Sequence, residues 1–349
     1  MNYQQGKLVL ITGATGHVGH AVLLRALSAG YQVRITLREP FKAALIRDSL
    51  PGRDHLQRLS FVTVCDFTQR GAFDEALQDV SYIIHIASPL QRPTYTDYNR
   101  DIIAPTVQGT SNLLYSALNH PTVQRIVITS STSAILDINP TNNLPLTPSD
   151  HPISPTHRHP NYGPDFITTS EHAYIAAKTA ALNLASAFRA QNSPHFDIIH
   201  LLPGYVFGPK GLATTPREAI SGSNVFGIGL VMRKGSWRDW VVEAMSCHVD
   251  DIAEAHVNAL DPRVPGNQDF ILSVPFRPEE VKSIIQRRFP EEGDMVKEGI
   301  FAGGNEWYRW FHVSYDVSGS EEMLLGRKLR GIEEQIVDSA KQVLALVKN

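Results

Sequence analysis

Three side chains in the middle of the sequence could together move a proton to or from an alcohol oxygen. Tyr174 and Lys178 stand four residues apart in HAYIAAKTAALNLASAF, whose apolar spacing is helical, so both share one helix face. An ammonium beside a phenol stabilises the phenolate and lowers the pKa of the tyrosine. Ser131 or Ser133 in TSSTSA, where a strand ends, offers a hydroxyl to hold the reacting oxygen. We therefore expect a Ser–Tyr–Lys site that exchanges a proton with a carbinol.

A second motif supports this expectation, because a tyrosine and a lysine at this spacing also occur on many exposed helix faces. In KLVLITGATGHVGHAVLLRALSAG, the glycines Gly13, Gly16 and Gly19 separate a short apolar run from a helical pattern. Glycine lets the backbone turn tightly, and free N–H groups at a helix start bind phosphate oxygens. The motif predicts a dinucleotide pyrophosphate site. Its G-x-x-G-x-x-G spacing differs from the commoner fingerprint, and alone it also suits a helix-capping turn.

The motifs stand within an alternation of strand-like and helix-like segments. Six apolar runs are typical of buried strands: LVLIT, YQVRITL, LSFVTV, VSYIIHIA, VQRIVITSS and FDIIHLLP. Helical patterns fall at residues 18–29, 41–50, 72–77, 104–118 and 171–189. This alternation predicts an α/β fold with a Rossmann-type doubly wound parallel sheet over residues 1–203. Residues 204–349 are expected to form mainly a smaller C-terminal substrate lobe.

Two segments depart from the alternation. Residues 137–165 are rich in Pro, Asn, Ser and His, which predicts a long surface loop near the active site. Residues 248–260 predict a helix that Asp250 or Asp251 caps and that packs back on the sheet. The aromatic residues outside the repeating unit suit an apolar substrate pocket, and they suit a core at least as well. These are Phe226, Trp237, Trp240, Trp307 and Trp310.

Composition favours small-molecule chemistry. The chain has 349 residues, 42 % of them hydrophobic, with a net charge of −3 and scattered basic residues, so we expect no nucleic-acid or membrane partner. A cytoplasmic protein is expected, because no segment is typical of a signal peptide or a membrane span. The two cysteines, Cys65 and Cys247, are expected to be free buried thiols.

Two groups of histidines and aspartates raise the question of a metal site. The first is Asp150, His151, His157 and His159, and the second is His248, Asp250, Asp251 and His256. Neither has the ligand spacing of a closed zinc site, so we expect no metal.

Together, the glycine turn, the serine-rich strand end, the Tyr–Lys pair and the following LLPGYVFGP resemble the extended short-chain dehydrogenase/reductase family. The chain is most similar to its dihydroflavonol-reductase and cinnamoyl-CoA-reductase-like branch, which includes fungal carbonyl reductases. The resemblance extends from Lys7 to the C-terminal YDVSGSEEMLLGRKLRGIEEQIVDSAKQVL. It implies that Tyr174 is the proton donor, that Lys178 tunes the tyrosine and holds the nicotinamide ribose, and that Ser131 rather than Ser133 completes the triad.

The resemblance also implies a cofactor and substrate site. The family's T-G-x-x-G-x-x-G turn matches Thr12, Gly13, Gly16 and Gly19, with Thr15, His17 and Val18 within it. The other implied cofactor positions are Asp66 and Phe67 at the adenine, Ala87 and Ser88 along the dinucleotide, and Pro203, Gly204, Tyr205 and Val206 at the nicotinamide. Pro89, Ser133 and Tyr205 are the implied substrate contacts.

The charge after the second strand indicates which dinucleotide is used. An acidic residue there binds the ribose diol of NAD, whereas this chain offers Arg38, with Lys42 a turn later. We therefore expect NADP(H). Glu39 is the opposing charge and is expected to face elsewhere, and the alternative is that both cations are merely solvated.

The resulting prediction is an NADPH-dependent reductase of a small apolar or aromatic ketone or aldehyde, with a role in secondary metabolism. One alternative is an NAD-dependent sugar-nucleotide epimerase or dehydratase, against which Arg38 argues. The other is a non-catalytic NADP-sensing regulator, against which the retained Tyr174 and Lys178 argue. A homodimer is compatible with the sequence, which identifies neither an interface nor the substrate.

Overall fold

The structure is a computed structural model that describes residues 6–90, 94–139, 141–145, 151–232, 241–293 and 309–348. Its strands are β1 (Leu8–Thr12), β2 (Gln32–Leu37), β3 (Leu59–Thr63), β4 (Tyr82–His85), β5 (Arg125–Thr129), β6 (Asp197–Pro203), β7 (Tyr205–Phe207), β8 (Val241–Glu243), β9 (Met245–His248), β10 (Asp269–Leu272), β11 (Val274–Pro275) and β12 (Arg309–Phe311). Its helices are α1 (His17–Ser28), α2 (Lys42–Asp48), α3 (Arg53–Gln57), α4 (Ala104–Leu118), α5 (Ser170–Asn192), α6 (Pro216–Ala219), α7 (Gly229–Met232), α8 (Val249–Asn258), α9 (Pro278–Arg288), α10 (Pro290–Gly293) and α11 (Ile332–Lys348).

A seven-stranded parallel sheet forms the centre, with the strand order β10-β6-β5-β4-β1-β2-β3. Its strands are continuous apolar runs because helices cover both faces of the sheet. Val9 and Ile11 of β1 pack in the cluster beneath α1 and α8, whereas Leu10 packs in the cluster beneath α4 and α5. The chain reverses its direction of progress between β1 and β4, so a crevice opens at the carboxyl ends of these two strands.

The doubly wound fold and all six sequence-predicted strands are confirmed. The helix predicted at 72–77 is wrong. Residues 71–79 form a run of turns bracketed by Gly71 and Asp79, whose φ values of +75° and +62° are left-handed conformations that a right-handed helix does not contain. The seventh strand, β10, was not anticipated, although its DFIL is a short apolar run of the same kind.

The second half of the chain contributes to the sheet as well as to smaller units. Strands β11, β9 and β7 form one small sheet and β12 and β8 another, around an apolar cluster that includes Phe207, Phe276 and Ile336. Helix α8 packs against α1, and β10 pairs with β6. Both elements follow residue 203, yet they belong to the central layers. The division into a dinucleotide-binding domain before residue 203 and a substrate lobe after it stays a prediction.

The cap predicted for α8 is wrong. His248 is the N-cap residue, and its Nδ1 accepts a hydrogen bond from the backbone N–H of Asp250 at 3.0 Å. Asp251 is fully buried in the first turn, where it pairs with Arg327 and Arg330. His256 binds Thr129 Oγ1 at 2.7 Å through Nε2.

Most described residues of the segment 137–165 are exposed or half-buried, and apolar side chains in it and just after it anchor it at a few positions. Ile138 and Phe166 are buried and pack against Ile175 of α5. The rings of Tyr162 and Phe166 stack with centroids 3.8 Å apart, and Ile153 pairs with Tyr315. Apolar side chains between the prolines therefore anchor the segment beside α5.

Three further findings bear on the composition. Cys247 is buried, but Cys65, predicted to be buried, is exposed because it follows the end of an edge strand, β3. No helix in the described ranges is long and apolar enough to cross a membrane. Among the described residues, no three His, Cys, Asp or Glu side chains are grouped so that they could hold a metal ion.

Candidate active site

Helix α5 holds Tyr174 and Lys178 one turn apart at the carboxyl end of β5. Thr169 caps the helix by accepting the backbone N–H of His172 at 3.1 Å. Lys178 is buried, its Nζ donates to Thr129 O at 3.1 Å, and it lies 5.8 Å from the centroid of the Tyr174 ring. Burial lowers the pKa of Lys178 to about 8. The ammonium is thus close to the phenol and shielded from solvent.

Ser131 lies against Tyr174 at the start of the short 3₁₀ helix Thr132–Ala134. Its hydroxyl accepts the backbone N–H of Ser133 at 3.2 Å, which fixes the side chain. Burial raises the pKa of Tyr174, and a hydrogen bond with Ser131 acts in the opposite direction. The structure therefore brings Ser131 to Tyr174, whereas Ser133 contributes a backbone contact.

The glycine turn lies at the carboxyl end of β1 and approaches backbone on two sides. Gly13 has φ +78°, and a Cβ there would lie 2.8 Å from Ala87 N. A Cβ at Gly19 would lie 2.0 Å from Gly13 O, so any side chain would displace the turn. Gly16 is the N-cap of α1 and makes no side-chain cap, which leaves backbone N–H groups at the helix start open to a ligand. The cradle fits a dinucleotide pyrophosphate.

Thr12 links this turn to the end of β4. There its side chain also contacts His85, a residue that the sequence analysis did not single out. Thr12 Oγ1 accepts the backbone N–H groups of Ile86 and Ala87, both at 3.1 Å, and donates to His85 Nδ1 at 2.9 Å. Burial, and then the charge of Lys178, lower the pKa of His85 to about 3, so it is neutral. The sequence places His85 at the end of a predicted strand, in HIASP, but nothing in it points to Thr12, 73 positions away.

The predicted adenine end contains Arg38, Phe67 and Asp66. The Arg38 guanidinium lies 5.7 Å from the centroid of Phe67. Thr68 and Gln69 donate hydrogen bonds to Asp66, which lower the pKa of its carboxyl. Among the described residues Arg38 makes no ion pair within 4 Å, although its charge is one of the smaller causes that lower the pKa of Asp66.

Lys42 is less available than the sequence suggested. Its Nζ lies 2.5 Å from Glu39 Oε2, three residues earlier on the same turn. Glu39 therefore offsets the charge of Lys42 rather than that of Arg38, and its orientation relative to a bound dinucleotide stays a prediction.

The predicted nicotinamide segment spans the end of β6 and β7. A Cβ at Gly204 would lie 2.5 Å from Ser273 Oγ and 2.7 Å from Met245 O, so only glycine fits. The rings of Tyr205 and Phe226 have centroids 4.6 Å apart, and Val206 is buried. Ser88 and Thr106 are linked by their hydroxyls at 3.5 Å, and Pro89 is half-buried. Trp237, Trp240 and Trp307 lie outside the described residues.

The remaining turn positions differ in their surroundings. His17 Nε2 donates to Pro209 O at 3.2 Å, and burial lowers the pKa of His17 to about 4. Val18 packs on the core, and Thr15 is half-buried. His17 therefore ties the start of α1 to the segment that follows β7 without adding charge to the cradle.

A cavity with a mixed polar and apolar lining includes Lys178 in its wall. Its walls include His85, Thr106, Thr110, Thr129, Lys178 and His200. His200 Nδ1 donates to Asp269 Oδ1 at 2.7 Å, and its buried Nε2 has no protein partner within the described residues. A cavity with these donors and acceptors is suited to hold water beside the lysine.

Comparison with known proteins agrees with this geometry. The model of the NAD dependent epimerase/dehydratase family matches residues 9–272. The NAD-dependent epimerase/dehydratase FUM13 of Gibberella moniliformis is 47 % identical, over 98 % of this chain and 96 % of that protein. The ketoreductase CTB6 of Cercospora nicotianae is 36 % identical, over 97 % and 95 % of the two chains. The yeast methylglyoxal/isovaleraldehyde reductase Gre2, solved complexed with NADPH, has a TM-score of 0.78 at 25 % identity and covers 98 % of this chain and 99 % of its own.

The family match covers well over half of the chain, and both relatives extend along nearly all of it. The resemblance deduced from the glycine turn, the strand-end serine and the Tyr–Lys pair is confirmed: the chain belongs to the NAD-dependent epimerase/dehydratase family of extended short-chain dehydrogenase/reductases.

Proposed function

We propose that the protein is an NADP(H)-dependent oxidoreductase that reduces a ketone or aldehyde to an alcohol. The observation that carries the proposal is the contact of Ser131 with Tyr174 beside a buried Lys178, at the mouth of a glycine cradle. A protein that only bound the dinucleotide would need the cradle but not this arrangement of hydroxyls and ammonium.

The bound dinucleotide would supply the hydride, held at its pyrophosphate by the turn from Gly13 to Gly19. Tyr174 would donate its proton to the carbonyl oxygen as negative charge develops there. Ser131 would hold that oxygen by a hydrogen bond, which places the carbonyl at Tyr174. Lys178 would stabilise the resulting phenolate, and because the lysine is buried its charge acts through a low dielectric.

Preference for the 2′-phosphate is argued from Arg38. It follows β2, contacts Phe67 and lacks a carboxylate partner among the described residues, whereas Lys42 is paired with Glu39. Arg38→Gln should weaken NADPH binding about tenfold or more and leave NADH binding nearly unchanged, and Lys42→Gln should do much less. Calorimetric titration of the three proteins with both dinucleotides tests this. Equal losses for NADPH and NADH in Arg38→Gln would contradict it.

The substrate is proposed to be a small apolar or aromatic carbonyl compound of secondary metabolism. The name of the ketoreductase CTB6 supports a ketone as the reacting group, and the aromatic pair of Tyr205 and Phe226 beside the proposed nicotinamide segment supports an apolar or aromatic substrate. Pro89 and Ser133 are proposed to line the same pocket. A cytoplasmic location and a homodimer stay predictions.

The proton-transfer role is tested by replacing Tyr174. Tyr174→Phe should lower turnover about 100- to 10,000-fold with NADPH affinity retained, because only the proton donor is removed. Turnover is followed by NADPH oxidation with a panel of aliphatic and aromatic ketones and aldehydes. Ser131→Ala should lose activity and Ser133→Ala should retain it. Undiminished turnover in Tyr174→Phe would overturn the proposal.

A second candidate is an NAD-dependent epimerase or dehydratase, which the name of the relative FUM13 favours. The same titration distinguishes the two. Preference for NADH, or NAD copurifying with the protein, would support this candidate against the reductase.

A further inference from the structure

Glu243 is a half-buried carboxylate that contacts the turn carrying Ser131. It ends β8, and its two oxygens accept hydrogen bonds from different hydroxyls. Tyr315 donates to Oε1 at 2.5 Å, and Thr132 donates to Oε2 at 3.2 Å. Thr132 directly follows Ser131 and is itself almost fully buried. The carboxylate is therefore one residue away from the hydroxyl that contacts Tyr174.

Tyr315 connects Glu243 to further segments around the candidate active site. Its ring is buried in one cluster with Ala134 and Ile135. Ala134 is the last residue of the 3₁₀ helix that Ser131 begins, and Ile135 directly follows it. Its backbone pairs with Ile153 of the segment before α5, and β8 itself pairs with β12. The carboxylate at the end of β8 thus links the turn that follows Ser131 to the segment that contains Tyr315. That segment in turn pairs with the segment that contains Ile153.

The placement is unfavourable for a carboxylate on its own. Burial raises the pKa of Glu243 to about 7, and both hydrogen-bond partners are neutral hydroxyls. Within the described ranges no cation lies within ion-pair distance of it. A half-buried carboxylate that contacts only neutral hydroxyls among the described residues is costly to keep ionised, so its placement is not explained by stability alone.

We propose that Glu243 is a positioning residue of the active site. By accepting hydrogen bonds from the hydroxyls of Thr132 and Tyr315, it fixes the 3₁₀ turn and therefore the position of the Ser131 hydroxyl relative to the carbonyl oxygen. The inference rests on the proposed reductase function, because the oxygen that Ser131 holds is the substrate's. Displacement of such a group by about 1 Å lowers turnover by up to about 100-fold.

The test is a double-mutant cycle between Glu243→Ala and Ser131→Ala, with isovaleraldehyde and acetophenone as the probe carbonyls. Glu243→Ala should lower kcat about 10- to 100-fold, with little change in KM or in NADPH affinity. In the Ser131→Ala background the same change should have little further effect on kcat, because Glu243 acts through that serine. Glu243→Gln should restore part of the rate, since its amide can accept one hydroxyl and donate to the other.

A matched control separates positioning from stability. Glu321 is a buried carboxylate distant in sequence from the serine turn that accepts Leu329 N at 3.1 Å and Lys328 Nζ at 2.6 Å. Glu321→Ala should lower thermal stability but leave kcat unchanged. Additive effects of Glu243→Ala and Ser131→Ala, or equal rate losses in the two glutamate variants, would overturn the inference.

The outcomes also separate this inference from the proposed function. If Ser131→Ala keeps full activity, the proposed triad fails; if it loses activity and the two changes are additive, only the role of Glu243 fails. Hydrogen exchange gives a readout without substrate. The amides of Ala134 and Ile135, which bond Ser131 O and Thr132 O at 3.0 Å, should exchange faster in Glu243→Ala than in Glu321→Ala. Unchanged exchange would contradict the inference even if neither probe is reduced.

Discussion

Burial has opposite effects on the pKa values of Tyr174 and Lys178, and in both residues it favours the neutral form. It lowers the pKa of the lysine to about 8 and raises that of the tyrosine. Near neutral pH most of the lysine is still protonated, although its pKa of about 8 is not far above that pH. A lysine in this state can exchange protons readily, which suits a neighbour of the proposed proton donor, and its burial lowers the stability of the folded chain.

The effect of Lys178 on stability should depend on pH in a defined window. The folded pKa is about 8 and the ordinary value is 10.5, so between these values the unfolded chain binds more protons and the wild type gains stability as pH rises. Lys178→Met should therefore be more stable than wild type below pH 8, by about 3 kcal/mol at most. This difference should shrink towards pH 10.5. Urea unfolding of both proteins at several pH values measures it, and a difference independent of pH would contradict the assigned pKa.

For single residues, the sequence predicts contacts between positions that are close in the chain, but not contacts between positions that are distant in it. Tyr174 and Lys178 share a helix face, so their spacing alone places them together. His85 meets Thr12 from 73 positions away, and Glu243 meets Thr132 from 111 positions away. Neither contact leaves a periodic signal, so neither role could be predicted from spacing.

At the scale of elements, the site is a row of strand ends. Thr12 ends β1, His85 ends β4, Ser131 comes shortly after β5 and Gly204 directly follows β6. Because parallel strands end at the same edge of a sheet, these four positions converge although they are far apart in sequence. Because both faces of the sheet are buried, its strands are continuous apolar runs, and these runs allowed six of the seven to be predicted. The turns at 71–79 were misread because their apolar residues mimic a helical period.

The close approach of the glycine turn gives a prediction at this scale. Gly19→Ala would place a methyl group 2.0 Å from Gly13 O, and backbone cannot move aside as a flexible side chain can. NADPH affinity should fall by at least about tenfold as the cradle distorts. Gly331→Ala is the matched control, since a Cβ there meets no atom within 4 Å. Equal NADPH affinity in the two variants, measured by calorimetric titration, would contradict the cradle assignment.

At the scale of the whole molecule, the C-terminal segment is joined to the central layers by a buried ion cluster. Asp251 of α8 accepts the backbone N–H of Arg330 and a guanidinium N–H of Arg327, both at 2.8 Å, and also pairs with the Arg330 side chain. The carboxylate is fully buried. The sequence placed α8 against the sheet, but it suggested Asp251 as a possible cap because the arginines lie 76 and 79 positions away.

Removal of that carboxylate should destabilise the protein as a unit. Asp251→Ala removes the carboxylate that pairs with Arg330 and one of the two that pair with Arg327, whose other partner is Glu254, and this should lower the free energy of unfolding by about 3 kcal/mol. Asp250→Ala, one residue earlier and with a side chain 62 % exposed, should change it by less than about 1 kcal/mol. Urea unfolding followed by circular dichroism measures both. Similar values for the two variants would show that the cluster does not hold the C-terminal segment in place.

The position of β10 also has a consequence during synthesis on the ribosome. Strand β6 is complete early, but its outer edge is paired only by Asp269–Leu272, which follows β7, β8, β9 and α8 in the chain. Until then a nascent chain presents an unpaired strand containing Ile198, Ile199, Leu201 and Leu202, an edge suited to join another such chain. We therefore expect a chain truncated before residue 269 to associate with other copies through the edge of β6 more readily than the full chain does.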